Sequence, residues 1–210
     1  MPHKIISIGR QFGSGGHQIG LKTAEALGVR CYDKELITLA ALRGKMDPDW
    51  TSDFDDQPPN PWLYEAAYNA NDALPAGESV SAVLFNLQSQ VIRAIAGQED
   101  AVIMGRCADQ VLRGEQDVRL LSVFIAAPFP DRVERKMGLL RISRRKAEKL
   151  VRQTDERRAK YYRTYTGMEW GRKDGYDLYF DSSIQSEEEI VEGILDAWGR
   201  LEASGPDGGR

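Results

Sequence analysis

The sequence has few residues of the types that build disulfide frameworks or metal sites. It contains only two cysteines, Cys31 and Cys107, and two histidines among 210 residues. The cysteines lie far apart and match no metal-binding spacing. We therefore expect two reduced, buried thiols, as in a cytosolic protein, and we assign no metal-ligating residue.

Long apolar runs are also absent. No stretch approaches the roughly 18 consecutive apolar residues of a membrane span, and Ser7, Gly9 and Arg10 interrupt the first apolar run before it could form a secretory signal. A net charge of −4 argues against a general nucleic-acid binder, because such domains are usually basic. We expect a cytoplasmic protein without a membrane or nucleic-acid partner. A homo-oligomer is compatible with the sequence, which does not set the oligomeric state.

Charge is distributed unevenly along the chain. Residues 46–79 hold eight acids and no lysine or arginine, together with several prolines and two tryptophans. This pattern predicts an irregular acidic excursion with one short helix near 64–71. Residues 129–173 hold fifteen lysines and arginines against six acids. A basic segment of this kind can face phosphate, nucleic acid or only solvent.

Strand and helix patterns alternate along the sequence. Short apolar runs predict strands at 4–8, 29–32, 101–104, 120–126 and 177–180. Helical patterns follow the first strand up to Gly28, begin again at Asp33, and occupy 80–96, 129–163 and the segment after Ser186. This alternation predicts an α/β fold with a parallel sheet of about five strands flanked by helices. We expect one domain over 1–202 and a flexible tail at 203–210.

A glycine-rich segment, Gly9–His17, follows the first predicted strand and opens the first helix. Glycines let backbone N–H groups converge there, and the helix N-terminus adds partial positive charge, which makes an anion cradle. Compared with the G-x-x-x-x-G-K-[ST] pattern, however, Arg10 replaces the first glycine, Gly16 the lysine and His17 the hydroxyl residue. The segment alone therefore also fits a turn without a ligand.

Four blocks together give a more specific signal. They are Ile6–Gly16 with its lysine-less loop; Tyr32–Ile37; Met104–Asp109 followed by Val123–Pro128 and Arg132; and Asp155–Tyr162 followed by Thr166-Gly167, Trp170-Gly171 and Tyr176–Leu178. In this order they resemble the cytidylate kinase-like family.

The resemblance implies a P-loop nucleotide kinase with residues 129–173 as a basic helical lid. ATP phosphates would lie on the loop residues Gly9, Phe12, Gly13, Ser14, Gly15, Gly16 and His17. Mg²⁺ would bridge the phosphates mostly through water, because no hydroxyl residue sits at the usual place. Arg157 and Arg158 would be lid arginines. Asp33 and Arg106 would lie on the acceptor side, where Cys107 stands in place of the family's acid.

For the missing lysine, Arg10 is the candidate replacement, since a guanidinium suits phosphate. Each assignment has a plainer alternative. Arg10 could pair with a surface carboxylate, Arg157 and Arg158 could form a solvated helix face, and Asp33 could only cap a helix. Asp155 is expected either at the substrate or in a salt bridge between lid and loop.

The predicted function is an ATP-dependent phosphotransferase, in particular a nucleoside monophosphate (cytidylate-like) kinase acting on a nucleotide or another small phosphorylated substrate. Two alternatives stay open. One is a kinase of the same fold with another small acceptor, and the other is a nucleotide-binding regulator that transfers no phosphate.

Overall fold

The structure is a computed structural model that describes residues 2–33 and 80–203. The helix predicted to begin at Asp33, the acidic excursion with its short helix, and residues 204–210 of the predicted tail lie outside the described residues. Among the described helices, none is long and apolar enough to cross a membrane.

Eleven helices and strands make up the described part of the chain. They are β1 (His3–Arg10), α1 (Gly16–Leu27), β2 (Arg30–Tyr32), α2 (Val80–Ala96), β3 (Ala101–Met104), α3 (Ala108–Val111), β4 (Val118–Ala126), α4 (Phe129–Leu140), α5 (Arg144–Thr166), β5 (Leu178–Asp181) and α6 (Glu187–Ala203). A 3₁₀ turn, Lys173–Gly175, precedes β5. The predicted parallel five-stranded sheet is confirmed, with the order β2-β3-β1-β4-β5.

Helices cover both faces of this sheet. Successive residues of a strand point to opposite faces, so Ile6 packs with Ile19 of α1 and Ile190 of α6, whereas Ile5 packs with Ile92 of α2 and with α3. All of these isoleucines are fully buried. A parallel strand buried on both faces reads as a continuous apolar run, which is why β1 was recognisable in the sequence.

Two helix ends follow their sequence signals. Gly28 ends α1 in the left-handed conformation at φ 65°, and its N–H donates to the carbonyls of Ala24 and Glu25. Before α6, the Ser186 N–H donates to Glu189 at 2.8 Å, and the Glu189 N–H donates to Ser186 Oγ at 3.2 Å. The predicted capping box is therefore present.

The basic segment differs in detail from its prediction. The single helix expected over 129–163 is two helices, because Arg141 adopts the left-handed conformation at φ 50° and separates α4 from α5. The two helices pack on each other through Val133, Ala147 and Val151, all fully buried. The segment thus has a small apolar core beneath its charged surface. Whether it moves as a lid stays a prediction.

Candidate phosphate-binding site

The loop Gln11–Gly15 joins β1 to α1 at the carboxyl edge of the sheet, where ligands of open α/β folds bind. Gly13 and Gly15 have φ angles of 87° and 80°, in the left-handed region. A Cβ on Gly13 would lie 2.8 Å from the carbonyl oxygen of Arg132, so only glycine fits there. Gly9, expected in the loop, lies within β1, where a Cβ would be 2.7 Å from the Phe124 ring.

The amides of the loop fall into two groups. The N–H groups of Phe12, Ser14 and Gly16 donate to the Asp155 carboxylate, the Gln11 carbonyl and Ser14 Oγ, at 2.8, 3.3 and 3.3 Å. The N–H groups of Gly13, Gly15 and His17 donate to no atom of the described residues. Three amides of the expected cradle, which we call the open amides, therefore have no hydrogen-bond partner among the described residues, and the other three are bonded to the protein itself.

The carbonyl side of the loop is held by side chains. The bonds run from Arg158 to the Arg10 carbonyl (2.8 Å), from Ser14 Oγ to Gln11 (2.9 Å), from Arg132 to Phe12 (3.1 Å), from Arg135 to Gly13 (2.9 Å) and from Ser182 Oγ to Ser14 (2.6 Å). We call these five bonds the carbonyl collar. The collar pairs these carbonyl oxygens with protein donors, so fewer unpaired oxygens remain to repel an anion at the neighbouring amides. At Gly15 both Arg135 Nη1 and Glu187 Oε1 lie close, 3.2 and 3.5 Å from an added Cβ.

A buried ion pair anchors the collar. Arg132 in α4 pairs with Asp155 in α5, with side-chain exposures of 7% and 18%. Arg132 Nε also donates to the carbonyl of Ala127 at 2.9 Å. The pair holds both backbone groups of Phe12, since Asp155 accepts its N–H and Arg132 donates to its carbonyl. Asp155 therefore lies at the loop, in the lid–loop bridge that was one of its two expected positions.

The two predicted lid arginines point in different directions. Arg158 donates to the loop, and its guanidinium lies 5.7 Å from the centre of the Phe12 ring. Arg157 instead donates to the Gln153 carbonyl and to Thr154 Oγ1 on its own helix, each at 3.3 Å, and is exposed. The structure brings Arg158 to the loop and leaves Arg157 on the outer face of α5.

Arg10 extends from the end of β1 toward β3. A Cβ on Gly16 would lie 2.6 Å from Arg10 Cβ, and a Cβ on Gly105 would lie 2.6 Å from Arg10 Nη1. The guanidinium thus rests on the turn that follows β3. That turn also carries Arg106, which lies at the same edge of the sheet.

The turn after β3 has an unusual backbone. Gly105, Arg106 and Cys107 have φ angles of 73°, 56° and 56°, three consecutive left-handed residues. Buried Asp109 follows in α3 and accepts a 2.5 Å hydrogen bond from Tyr162 of α5. The strained turn is therefore tied to α5, as expected where the surrounding structure imposes a sparsely populated conformation.

An aromatic cluster lies beside Arg106. Its guanidinium is 5.0 Å from the centre of the Tyr161 ring, and the Tyr161 hydroxyl donates to Gln88 at 3.0 Å. Tyr165 stacks on Phe85 at 4.2 Å and meets Tyr161 edge-on at 4.8 Å. Burial raises the pKa of Tyr161 to about 12, with Arg106 acting in the opposite direction. At neutral pH the hydroxyl is protonated and donates a hydrogen bond.

The family model of the cytidylate kinase-like family matches residues 5–184. The chain belongs to the cytidylate kinase-like family. A search of curated proteins finds no match.

Solved structures share the fold. An uncharacterized protein from Eubacterium ventriosum is 24% identical, with 93% of this chain and 98% of that chain covered and a TM-score of 0.66. Shikimate kinase from Acinetobacter baumannii, in complex with shikimate, is 14% identical, with coverages of 97% and 96% and a TM-score of 0.50. The APS kinase of Mycobacterium tuberculosis, in complex with AMPPNP and APS, is 15% identical, with coverages of 97% and 99% and a TM-score of 0.50. The fold is that of P-loop kinases.

In this cytidylate kinase-like protein, the end of β2 approaches Arg10. Burial raises the pKa of the Cys31 thiol to about 11, the Asp33 carboxylate adds to the shift, and Arg10 opposes it. Asp33 and Arg10 therefore both lie close enough to Cys31, in β2, to influence the pKa of its thiol. Cys31 and Cys107 are both free thiols.

Magnesium has few protein ligands available here. The described residues contain no group of three or more His, Cys, Asp or Glu side chains that could hold a metal ion. The acids beside the loop are already paired, Asp155 with Arg132 and Glu187 with Lys22. His17, at the position of the usual hydroxyl ligand, is the second residue of α1. A magnesium ion beside the described residues would be held by phosphate oxygens and water, and this arrangement stays a prediction.

Sequence reasoning missed Arg135 and Ser182 as loop-binding residues. Both act on carbonyls more than 100 positions away in sequence, Arg135 on Gly13 and Ser182 on Ser14. No local pattern marks either side chain. The basic character of 129–173 was a general signal for Arg135, and no sequence signal pointed to Ser182.

Proposed function

We propose that this protein is an ATP-dependent phosphotransferase whose acceptor is a nucleoside monophosphate or a similar small phosphorylated molecule. Family membership and fold support a kinase-type phosphotransferase. The observation that carries the proposal is the arrangement around the end of β1. Open amides of Gly13, Gly15 and His17 lie at the N-terminus of α1, and Arg106 follows the neighbouring strand β3.

The donor phosphates would occupy the open amides, with Arg135 and Arg158 of the basic segment beside them. In the reaction an acceptor oxygen attacks the γ-phosphorus, the bond from that phosphorus to the β–γ bridging oxygen breaks, and ADP leaves. Phosphoryl transfer depends on positioning and charge rather than on covalent chemistry by the protein. Magnesium bound to the donor would supply charge neutralisation of its phosphates.

The acceptor side combines one cation with aromatic surface. Arg106 offers a forked donor to a phosphate group. Phe85, Tyr161 and Tyr165 provide ring faces and edges next to it, which suits a planar base. This combination favours a nucleotide over an acceptor that has no planar aromatic base. Cys107 stands where the family has an acid, so the family's preference for cytosine does not carry over and the base is determined by the assay below.

The test is a coupled assay of ADP release with purified protein, ATP and magnesium. The acceptor panel contains the ribo- and deoxyribonucleoside monophosphates, together with shikimate as an acceptor that has neither a phosphate nor an aromatic base. We expect turnover with at least one monophosphate, and Arg106→Ala should lower kcat/KM for that acceptor by at least about tenfold, or 1.4 kcal/mol. Arg93→Ala, at an exposed pair with Glu115, is the matched control.

Three other outcomes of the assay would lead to different conclusions. Turnover only with shikimate or another non-nucleotide would replace the nucleotide acceptor by the second kinase hypothesis. Tight binding of an ATP analogue without turnover of any acceptor would favour the regulator. An Arg106→Ala variant with unchanged acceptor kinetics would show that Arg106 serves only the turn and the Tyr161 contact.

A further inference from the structure

The end of β1 separates two sets of arginines. Arg132, Arg135 and Arg158 come from α4 and α5, on the β4 side, and donate to loop carbonyls. Arg10 and Arg106 lie on the other side, where β3 and β2 end. In the donor–acceptor arrangement above, the first set adjoins the donor phosphates and the second set adjoins the acceptor.

The path of the Arg10 side chain is fixed by two glycines. Its Cβ lies against Gly16, where an added methyl group would meet it at 2.6 Å. Its Nη1 lies against Gly105, at the same 2.6 Å from an added Cβ. No larger residue fits at either position without moving Arg10. The guanidinium therefore lies across the turn that presents Arg106.

Electrostatics agree with this placement. The positive charge of Arg10 lowers the pKa of the Cys31 thiol against the larger effect of burial. Cys31 belongs to β2, which pairs with β3 and lies two strands away from β1. The charge of Arg10 therefore acts on the β2 side of β1, opposite to β4.

We propose that Arg10 is a specificity residue for the acceptor, and that Arg10 and Arg106 together bind the dianionic phosphate of that acceptor. This inference rests on the proposed function and assigns Arg10 a different role from the expected replacement of the P-loop lysine. Two planar guanidinium groups bind a phosphate more strongly and with more directional contacts than one. An acceptor that lacks a phosphate would lose both contacts.

The first experiment measures binding rather than turnover, so that it stays informative if the protein transfers no phosphate. The donor site is filled with AMPPNP, and binding of inorganic phosphate to that complex is followed by phosphorus NMR. We expect Arg10→Gln to weaken inorganic phosphate binding at least about tenfold while the AMPPNP Kd, measured by calorimetry, stays within about twofold.

The opposite pattern would overturn the inference. If Arg10→Gln weakened AMPPNP tenfold and left inorganic phosphate unchanged, Arg10 would be a donor-site cation in place of the lysine. Absence of inorganic phosphate binding in the unmodified protein would also overturn it. Binding of inorganic phosphate that depends on Arg10, with no turnover of any acceptor, would support the inference and reject the kinase.

A second experiment uses two glycines with matched backbones. Gly105 and Gly114 have φ angles of 73° and 83°, so alanine is strained at both. Only at Gly105 would the new Cβ meet Arg10, whereas nothing lies within 4 Å at Gly114. We expect Gly105→Ala to weaken inorganic phosphate binding as Arg10→Gln does, and Gly114→Ala to leave it unchanged.

The double variant distinguishes collision from strain. If Gly105→Ala acts by displacing Arg10, adding it to Arg10→Gln should cause no further loss of inorganic phosphate binding, because the two changes share one mechanism. Additive losses, or an equal loss in Gly114→Ala, would show that the guanidinium does not rest on this turn in the working protein.

Discussion

Replacing Asp155 by alanine removes the anchor of the carbonyl collar. The substitution leaves the Arg132 guanidinium, only 7% exposed, without its carboxylate and takes the acceptor from the Phe12 N–H. Breaking a buried ion pair typically costs about 3–5 kcal/mol, because one charge stays buried and uncompensated. Since Asp155 itself is 18% exposed, water can reach the site, and we expect the lower end, about 3 kcal/mol. In a domain of this size that loss lowers the Tm by roughly 6–12 °C.

Urea unfolding followed by circular dichroism measures this loss. The matched control is Asp174→Ala, which breaks the Arg172–Asp174 pair, more than 60% exposed on both sides, and should have little effect on stability because solvent screens the pair. The double variant Arg132→Met/Asp155→Leu should recover only part of the stability. It removes the uncompensated charge, but the backbone groups of Phe12 and the Ala127 carbonyl still lose their partners. If Asp155→Ala cost no more than the control, α5 would not hold the loop in solution.

Three further changes test packing and titration. Gly20→Ala should destabilise the protein by about 1–3 kcal/mol in urea unfolding, because its Cβ would lie 2.5 Å from Sδ of Met104. Gly138→Ala, in α4 with open space around the added methyl group, should stabilise it by about 0.5–1 kcal/mol, and destabilisation there would contradict the helix. Burial raises the pKa of Cys31 to about 11 and of Cys107 to about 12, from an ordinary value of 9.0. The folded state then retains protons that the unfolded state releases, so the free energy of unfolding should fall between about pH 9 and pH 12. If the free energy of unfolding fell no more steeply above pH 9 in the wild type than in a Cys107→Ala variant, this sign would be contradicted.

The elements that follow a local pattern were predictable from the sequence. β3 begins at Ala101 and ends at Met104 as predicted, because a short apolar run between polar residues is typical of a buried strand. The capping box before α6 is a contact within one turn of chain, so its residue types identify it. The family followed from several blocks in order rather than from the loop, which departs from the Walker pattern.

The orientation of the site residues was not predictable in the same way. Arg157 and Arg158 are neighbours on one helix, and successive helical residues point about 100° apart, so tertiary packing decides which one meets the loop. The direction of the Arg10 side chain depends on the absence of side chains at Gly16 and Gly105, which belong to other parts of the fold. Phe12 and Asp155 meet across 143 positions. Nothing in the sequence near either residue encodes that contact.

The position of β1 in the sheet has a consequence for biosynthesis. β1 is made first, yet Ile5 pairs with Ala101 on one side and with Leu120 on the other. A nascent chain therefore cannot pair its first strand on both edges until both later strands have left the ribosome, a late closure of the kind that slows folding. The donors of the carbonyl collar come later still, with Ser182 last. The phosphate loop should acquire its final shape only when synthesis is nearly finished, so fragments truncated before β5 should not bind nucleotide.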